Sequence, residues 1–223
     1  MPKKISSPPA CLAIDFDNTI AYFQDTYEGL FDIFIRRGVL KDKAAKAYEI
    51  AKEGGFSFGK MIKSVEKETD ANPPAGGWKQ EKEKMTAEFG VWLKNSLILF
   101  PESASFLAQI SKKIPVVIVT FGNRSYQRDK ISRLKISARE IMSTADKNGK
   151  PDLIKKCLEK YGQPVLFADD KGEELDRARD NFSEKKVTTV RVRRASWRYK
   201  REKTRHRHIT VSNLQELKKF FKN

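Results

Sequence analysis

Three short hydrophobic runs stand out along the chain, at residues 11–14, 116–119 and 165–168. Each run is nearly continuous and does not alternate with polar residues, which is typical of parallel strands covered on both faces. Apolar positions recur at helical spacing in residues 102–113 and 152–161. Strands that alternate with helices in this way predict a doubly wound parallel sheet, and therefore an α/β fold.

The interval between the first two runs is too long for one crossover connection. Within it, residues 27–37 and 41–52 are predicted as helices, and each is followed by glycine. We therefore predict an α/β core formed by residues 1–20 and 100–223, with a helical cap domain at residues 21–99.

Composition narrows the possible partners. The chain has 223 residues with 45 Lys and Arg against 29 Asp and Glu, a net charge of +16. Such an excess favours anionic partners, among them phosphorylated molecules, nucleotides and nucleic acid. No apolar run approaches 18 residues and the N-terminus lacks the apolar segment of a signal peptide, so we expect a cytoplasmic protein without a membrane partner. Oligomeric state stays open.

The two cysteines, Cys11 and Cys157, are far apart in the sequence and show no zinc-ligand spacing. A disulfide scaffold is therefore not expected.

Polar residues follow each of the three hydrophobic runs. Asp15 and Asp17 come after the first, Thr120 ends the second, and Asp169 and Asp170 follow the third. Because the carboxyl ends of parallel strands meet at one edge of a sheet, these side chains are expected to share a crevice. Four carboxylates so close could not all stay ionised unaided, and Mg²⁺ prefers carboxylate, water and phosphate oxygens. The sequence therefore predicts a magnesium site.

These segments resemble, in order, the four motifs of the haloacid dehalogenase-like superfamily, and in particular those of its phosphatases. The motifs are an Asp-x-Asp-x-Thr segment, a strand ending in Ser or Thr, a lysine often followed by proline, and an acidic pair with a further acid. They are matched by residues 15–19, Thr120, Lys150 with Pro151, and Asp169 and Asp170 with Glu174. The resemblance implies a Rossmann-like core whose helical cap lies in the long insert.

The resemblance also implies roles for individual residues. Asp15 would be the nucleophile that forms an aspartyl-phosphate. Asp17 would protonate the leaving oxygen and then activate water. Thr120 would bind a phosphoryl oxygen, and Lys150 would neutralise charge on Asp15 and the transferring group. Since dehalogenases of the family lack a carboxylate at the position of Asp17, hydrolysis of a carbon–halogen bond is disfavoured.

By the same resemblance, Mg²⁺ would be held by the Asp15 carboxylate, the Asp17 backbone carbonyl and Asp170, with Asp169 behind them. Two departures from the family pattern leave the ligand set open. Asp169 replaces a common glycine, and the later acid is Glu174 where Asp is usual.

The substrate is expected to be a phosphorylated small molecule or nucleotide, with Gly122 and Asn123 as candidate contacts. Transfer of a phosphoryl group between two positions of one sugar phosphate remains an alternative to hydrolysis, since nothing in the sequence decides between them.

A basic tract spans residues 191–208, with nine Lys or Arg, one Glu and a net charge of +8. Aromatic residues between arginines suit contacts with phosphates and bases, although a solvated surface loop has the same composition. Its candidate nucleic-acid contacts are Arg193, Arg194, Trp197, Arg198 and Arg201. The alternative function is therefore a nucleic-acid-binding protein whose phosphatase-like core is idle or directed at nucleic-acid ends.

Overall fold

The computed structural model describes residues 8–25, 27–68, 77–194 and 202–221. The chain divides into two compact units, one formed by Met1–Tyr22 with Leu99–Asn223 and the other by Phe23–Ile98. In the described residues, the first unit holds the large sheet and the second is mainly helical.

A six-stranded parallel sheet forms the centre of the first unit. The strands of the described residues are β1 (Cys11–Ile14), β2 (Ala21–Phe23), β3 (Leu97–Leu99), β4 (Val116–Phe121), β5 (Glu140–Thr144), β6 (Val165–Asp169), β7 (Val187–Val192) and β8 (Ile209–Val211). The six-stranded sheet has the order β5-β4-β1-β6-β7-β8, and β2 and β3 pair in a separate two-stranded sheet. The α/β class predicted from the sequence is confirmed.

Helices lie between successive strands of the large sheet as far as β7. The helices of the described residues are α1 (Glu28–Ile35), α2 (Lys41–Lys52), α3 (Phe58–Glu68), α4 (Gly77–Ser96), α5 (Ser103–Ile110), α6 (Arg124–Ser132), α7 (Lys150–Tyr161) and α8 (Gly172–Asn181), followed by a 3-10 helix at Leu214–Phe221. Ile154 and Cys157 of α7 pack in one core cluster with Val117 of β4 and Phe167 of β6. This packing covers the sheet and fixes the start of α7 relative to the strands.

The three hydrophobic runs form the central strands of the sheet, where both faces of each strand are covered. All of β1 and β6 is buried, and β4 is buried up to Thr120. The edge strand β5 is only half-buried along its whole length, so it lacks a continuous apolar run. Periodicity in the sequence therefore gave no signal for it.

The second unit has a core of its own. In α3, Phe58, Met61, Ile62 and Val65 are buried, which places them along one face of the helix. Phe58 stacks on Phe89 of α4, with 4.2 Å between ring centroids. Aromatic packing therefore joins the helices of this unit.

The longest described helix, α4, has 20 residues and mixes apolar with charged side chains. None of the helices in the described part of the chain is long and apolar enough to span a bilayer.

Candidate active site

Strand register brings the acidic residues together. Ile14 of β1 pairs with Ala168 of β6 on one side and with Ile118 of β4 on the other. The backbone N–H of Asp15 donates to the Ala168 carbonyl at 2.9 Å, which continues the ladder by one residue. Asp15 and Asp169 therefore leave adjacent strands at the same level.

Asp15, Asp169 and Asp170 form a cluster in which one carboxylate oxygen of each lies within 4.8 Å of the others. Their exposed fractions are 5%, 0% and 4%. Like charges repel strongly where water is excluded, so protons or cations must compensate a cluster of this kind.

Lys150 supplies part of that compensation. Its Nζ donates to Asp15 Oδ1 at 2.7 Å and to Asp169 Oδ2 at 2.7 Å. The lysine begins α7, where the following Pro151 suits the first helical turn because its missing N–H would have no partner there. The other Asp169 oxygen, Oδ1, accepts from the backbone N–H of Lys171 at 2.9 Å. Both oxygens of Asp169 are thus engaged by the protein.

Burial dominates the titration of the cluster. It raises the pKa of Asp15 to about 7, with repulsion from neighbouring carboxylates adding to the effect and Lys150 opposing it. It raises the pKa of Asp170 to about 9, again with repulsion from Asp169 and Asp15. The pKa of Asp169 is raised by burial as well. Burial works against the charge of Lys150, yet Asp15, Asp169 and Glu174 hold its pKa well above the ordinary range.

The cluster fits a small divalent cation. Asp170 Oδ2 is buried and has no hydrogen-bond partner among the described residues. Asp15 Oδ2 takes no part in the bond to Lys150, whereas Asp169 is occupied by Lys150 and Lys171. Asp15 and Asp170 are therefore the side chains that would hold a cation, and carboxylate oxygens are the ligands that Mg²⁺ prefers.

Glu174 lies in the first turn of α8 and is buried. Its Oε1 pairs with Arg177 at 3.0 Å, while its Oε2 is buried and has no partner among the described residues. Its negative charge acts on Lys150 and Asp169.

Asp17 stands apart from this cluster. Both of its carboxylate oxygens accept from Lys130 Nζ, Oδ1 at 2.7 Å and Oδ2 at 2.6 Å. The side chain of Asp17 is 35% exposed and that of Lys130 only 2%. The next residue, Asn18, has φ 67°, a left-handed conformation that asparagine tolerates, and its N–H donates to the Ala21 carbonyl at 2.6 Å. This turn follows Asp17 directly.

Thr120 is buried near the end of β4. The loop that follows is fixed by the protein itself. Gly122 has φ 138°, and a Cβ there would lie 2.6 Å from the Gln127 side chain. Asn123 caps α6, since its side-chain oxygen accepts from the backbone N–H of Tyr126 at 3.1 Å. Gly122 and Asn123 thus shape this loop, and their predicted contact with substrate stays a prediction.

Comparison with known proteins identifies the fold. No family model and no curated protein matches the chain. A haloacid dehalogenase-like hydrolase from Burkholderia xenovorans is 17% identical over 93% of this chain and 96% of its own, with a TM-score of 0.68. An L-2-haloacid dehalogenase is 13% identical over 97% of this chain and 100% of its own, with a TM-score of 0.62. The chain has the haloacid dehalogenase-like hydrolase fold.

A predicted phosphoglycolate phosphatase from Haemophilus somnus is also similar, at 13% identity over 97% of this chain and 100% of its own, with a TM-score of 0.59. The resemblance predicted from the four motifs is therefore confirmed for the fold. The structures that share this fold include dehalogenases and the predicted phosphatase.

The basic tract is described only in part. Arg193 is exposed. Arg194 is buried: its guanidinium pairs with Glu102 at 2.7 Å, donates to the Thr19 carbonyl at 2.9 Å and lies 3.5 Å from the centroid of the Phe100 ring. The charge of Arg194 is therefore used inside the haloacid dehalogenase-like core. The remaining candidate contacts lie outside the described residues, and they are Trp197, Arg198 and Arg201.

Sequence reasoning missed Lys130. The chain has 45 Lys and Arg residues, and lysines are usually solvated, so composition does not single this one out. The available signal was its place on α6, four residues after Tyr126 and beside the buried Ile131. That spacing puts Lys130 near the covered face of the helix, but only the fold brings Asp17 to it.

Proposed function

We propose that this chain is a Mg²⁺-dependent phosphatase that hydrolyses a phosphomonoester through an aspartyl-phosphate on Asp15. The observation that carries the proposal is the buried arrangement of Asp15, Lys150 and Asp170. One oxygen of Asp15 is fixed by Lys150, and the unpartnered Asp170 Oδ2 lies in the same carboxylate cluster. Such a site suits a phosphoryl group that carries negative charge into a protein interior.

In the first step, an oxygen of the Asp15 carboxylate attacks phosphorus while Lys150 holds the carboxylate through its bond to Oδ1. The bond between phosphorus and the leaving oxygen breaks, and Asp17 gives a proton to that oxygen. Lys150 also offsets charge that collects on the transferring group, because its ammonium is buried and already aimed at Asp15. The product alcohol leaves, and the phosphoryl group remains on Asp15.

In the second step, Asp17 takes a proton from a water molecule, whose oxygen attacks phosphorus. The bond between phosphorus and Asp15 then breaks, which restores the carboxylate and releases phosphate. Asp17 suits both steps because its side chain is partly exposed, whereas Asp15 is buried. A bound Mg²⁺ would be held by Asp15, Asp170 and the Asp17 carbonyl, and would shield the anionic nucleophile from the anionic phosphate.

Asp17 favours a phosphatase over a dehalogenase among the activities found on this fold. A leaving alkoxide must acquire a proton, so a carboxyl group near the site is useful for phosphoester hydrolysis. A leaving halide needs no proton. The partly exposed carboxylate two residues after the nucleophile therefore supports the phosphoester substrate.

The experiment is hydrolysis of 4-nitrophenyl phosphate with MgCl₂, with EDTA, and by the Asp15→Asn variant. We expect turnover that requires Mg²⁺ and a loss of about 10³-fold or more in Asp15→Asn, because covalent catalysis needs the carboxylate oxygen. Asp152→Asn is the matched control, since Asp152 is an exposed carboxylate in the first turn of α7. Full activity in Asp15→Asn would end the proposal.

The basic tract supports a narrower proposal about the substrate, namely a nucleotide or a nucleic-acid end. Exposed Arg193 directly precedes Arg194, which binds the Thr19 carbonyl in the segment after Asp17. A positive residue so placed suits an anionic group beyond the scissile phosphate. We expect KM for a phosphorylated oligonucleotide to rise steeply with salt concentration, and the Arg193→Ser substitution to make this dependence weaker. The salt dependence of KM for 4-nitrophenyl phosphate is the reference. Equal salt slopes for both substrates would count against this choice.

A further inference from the structure

Lys130 is a buried lysine whose ammonium points at one carboxylate. Its side chain is 2% exposed, and its Nζ lies 2.7 and 2.6 Å from the two oxygens of Asp17. Burying an ammonium is costly unless a counter-charge and hydrogen bonds accompany it. The position of Lys130 is therefore tied to that of Asp17.

Aromatic rings hold the lysine in place. Its Nζ lies 4.9 Å from the centroid of the Phe16 ring and 5.3 Å from that of Tyr126. Cation–π contacts at these distances are attractive and have a preferred geometry. Phe16 precedes Asp17 in the chain, and Tyr126 lies one turn before Lys130 on α6. The ammonium is thus fixed from both of the segments that it joins.

The Asp17 carboxylate is partly open to solvent. Its side chain is 35% exposed, and it is not a member of the carboxylate cluster formed by Asp15, Asp169 and Asp170. An exposed carboxylate would sample several rotamers. Two hydrogen bonds to one buried donor restrict both the direction and the plane of the carboxylate.

We propose that Lys130 is a positioning residue that holds the Asp17 carboxylate at the place where it exchanges protons with the leaving oxygen and with water. This inference rests on the proposed phosphatase function and adds to it a residue outside the four motifs. Lys130 is on α6, which starts three residues after β4 ends and four residues after Thr120. One helix thereby couples the end of β4 to the turn that carries Asp17.

The test is a double-mutant cycle on 4-nitrophenyl phosphate with MgCl₂, using Asp17→Asn, Lys130→Met and the double variant. Misplacement of a reacting group by about 1 Å costs about 10²-fold, so Lys130→Met should lower kcat by about that factor with KM nearly unchanged. If Lys130 acts through Asp17, the double variant should have the same kcat as Asp17→Asn. Lys130→Arg should recover most of the activity, because it keeps two N–H donors for the two oxygens.

Lys160→Met is the matched control. Lys160 also pairs with a carboxylate, Glu140 at 2.6 Å, and lies 5.4 Å from the centroid of the Tyr161 ring, but it is exposed and its partner is not an active-site candidate. The kcat of the Lys160→Met variant should equal that of the parent. When Lys160→Met is combined with Asp17→Asn, the effects of the two substitutions on kcat should be additive in free energy. Thermal melting of each variant separates loss of fold from loss of position, and Lys130→Gln replaces Lys130→Met should the latter unfold.

The outcomes separate the two proposals. The positioning role is overturned if kcat is unchanged in Lys130→Met. It is also overturned if Lys130→Met lowers kcat by the same factor in the parent and in the Asp17→Asn variant. Either result leaves the proposed phosphatase function intact. Absence of Mg²⁺-dependent turnover in the parent overturns the phosphatase, and the role of Lys130 with it. A large KM change with constant kcat also overturns the positioning role, since Lys130 would then act in substrate binding.

Discussion

Two lysine–carboxylate pairs, one in each unit of the molecule, show how differently the same residue types behave. Lys150 and Asp15 in the α/β unit lie 2.7 Å apart with side chains 5% and 6% exposed. Lys52 and Glu49 in the helical unit lie 2.9 Å apart with side chains 45% and 67% exposed. The distances are similar, but water screens only the second pair.

The neighbours of each pair explain the difference. Lys150 also binds Asp169, and the cluster continues to Asp170, so several charged groups lie buried together. Lys52 and Glu49 are neighbours on one helix, three residues apart, and face solvent. Distance alone therefore does not indicate function. Ionisable groups acquire altered pKa values when the fold buries them together, and such groups are common in active sites.

The largest expected effect comes from removing the buried lysine. Lys150→Met should lower kcat on 4-nitrophenyl phosphate by about 10³-fold, because Asp15 loses the donor at Oδ1 and the transferring group loses a fixed positive charge. Lys52→Met in the helical unit should leave kcat unchanged, since an exposed pair contributes little. Similar losses in both variants would show that the contrast between the two pairs is not functional.

The next effect concerns packing in the helical unit. Phe89→Ala should reduce the free energy of unfolding by about 3–4 kcal/mol, because Phe89 is nearly buried and stacks on Phe58. Amide hydrogen exchange should place the loss of protection in residues 23–98. Lost protection concentrated in β1, β4 and β6 would contradict an independent core in this unit.

The smallest effect is a dependence of stability on pH in the absence of metal. The folded pKa values of Asp15, about 7, and Asp170, about 9, both exceed the ordinary value of 3.8. The folded state therefore keeps protons that the unfolded chain has released, and stability falls as pH rises through 7 and 9. Lys150, whose pKa is raised, contributes a constant amount throughout that range.

Thermal melting in EDTA should show a decrease of about 3 °C or more between pH 6 and pH 9. Mg²⁺ should reverse that decrease, since the cation replaces the protons in the cluster. Asp170→Asn should flatten the profile and remove the stabilisation by Mg²⁺. A melting temperature that rises with pH in EDTA would contradict the burial of these carboxyl groups.

Much of the α/β core is readable from the sequence. Central strands must be apolar on both faces, so continuous apolar runs in the sequence predict β1, β4 and β6. The polar residues that follow these runs mark one edge of the sheet. Strand β5 was not readable because an edge strand needs little apolar surface. Helix α3 was not delimited, although its buried residues follow helical spacing.

The sequence by itself determined which residues stand at the strand ends, because hydrophobic periodicity and the order of the motifs are local properties. The tertiary structure decided which oxygens face each other. It made Lys150 a bridge between Asp15 and Asp169, gave Arg194 an internal partner, and placed Lys130 on Asp17 across 113 residues of sequence. These contacts depend on strand register and helix packing, which bring distant residues within hydrogen-bond range and exclude the water that would screen them.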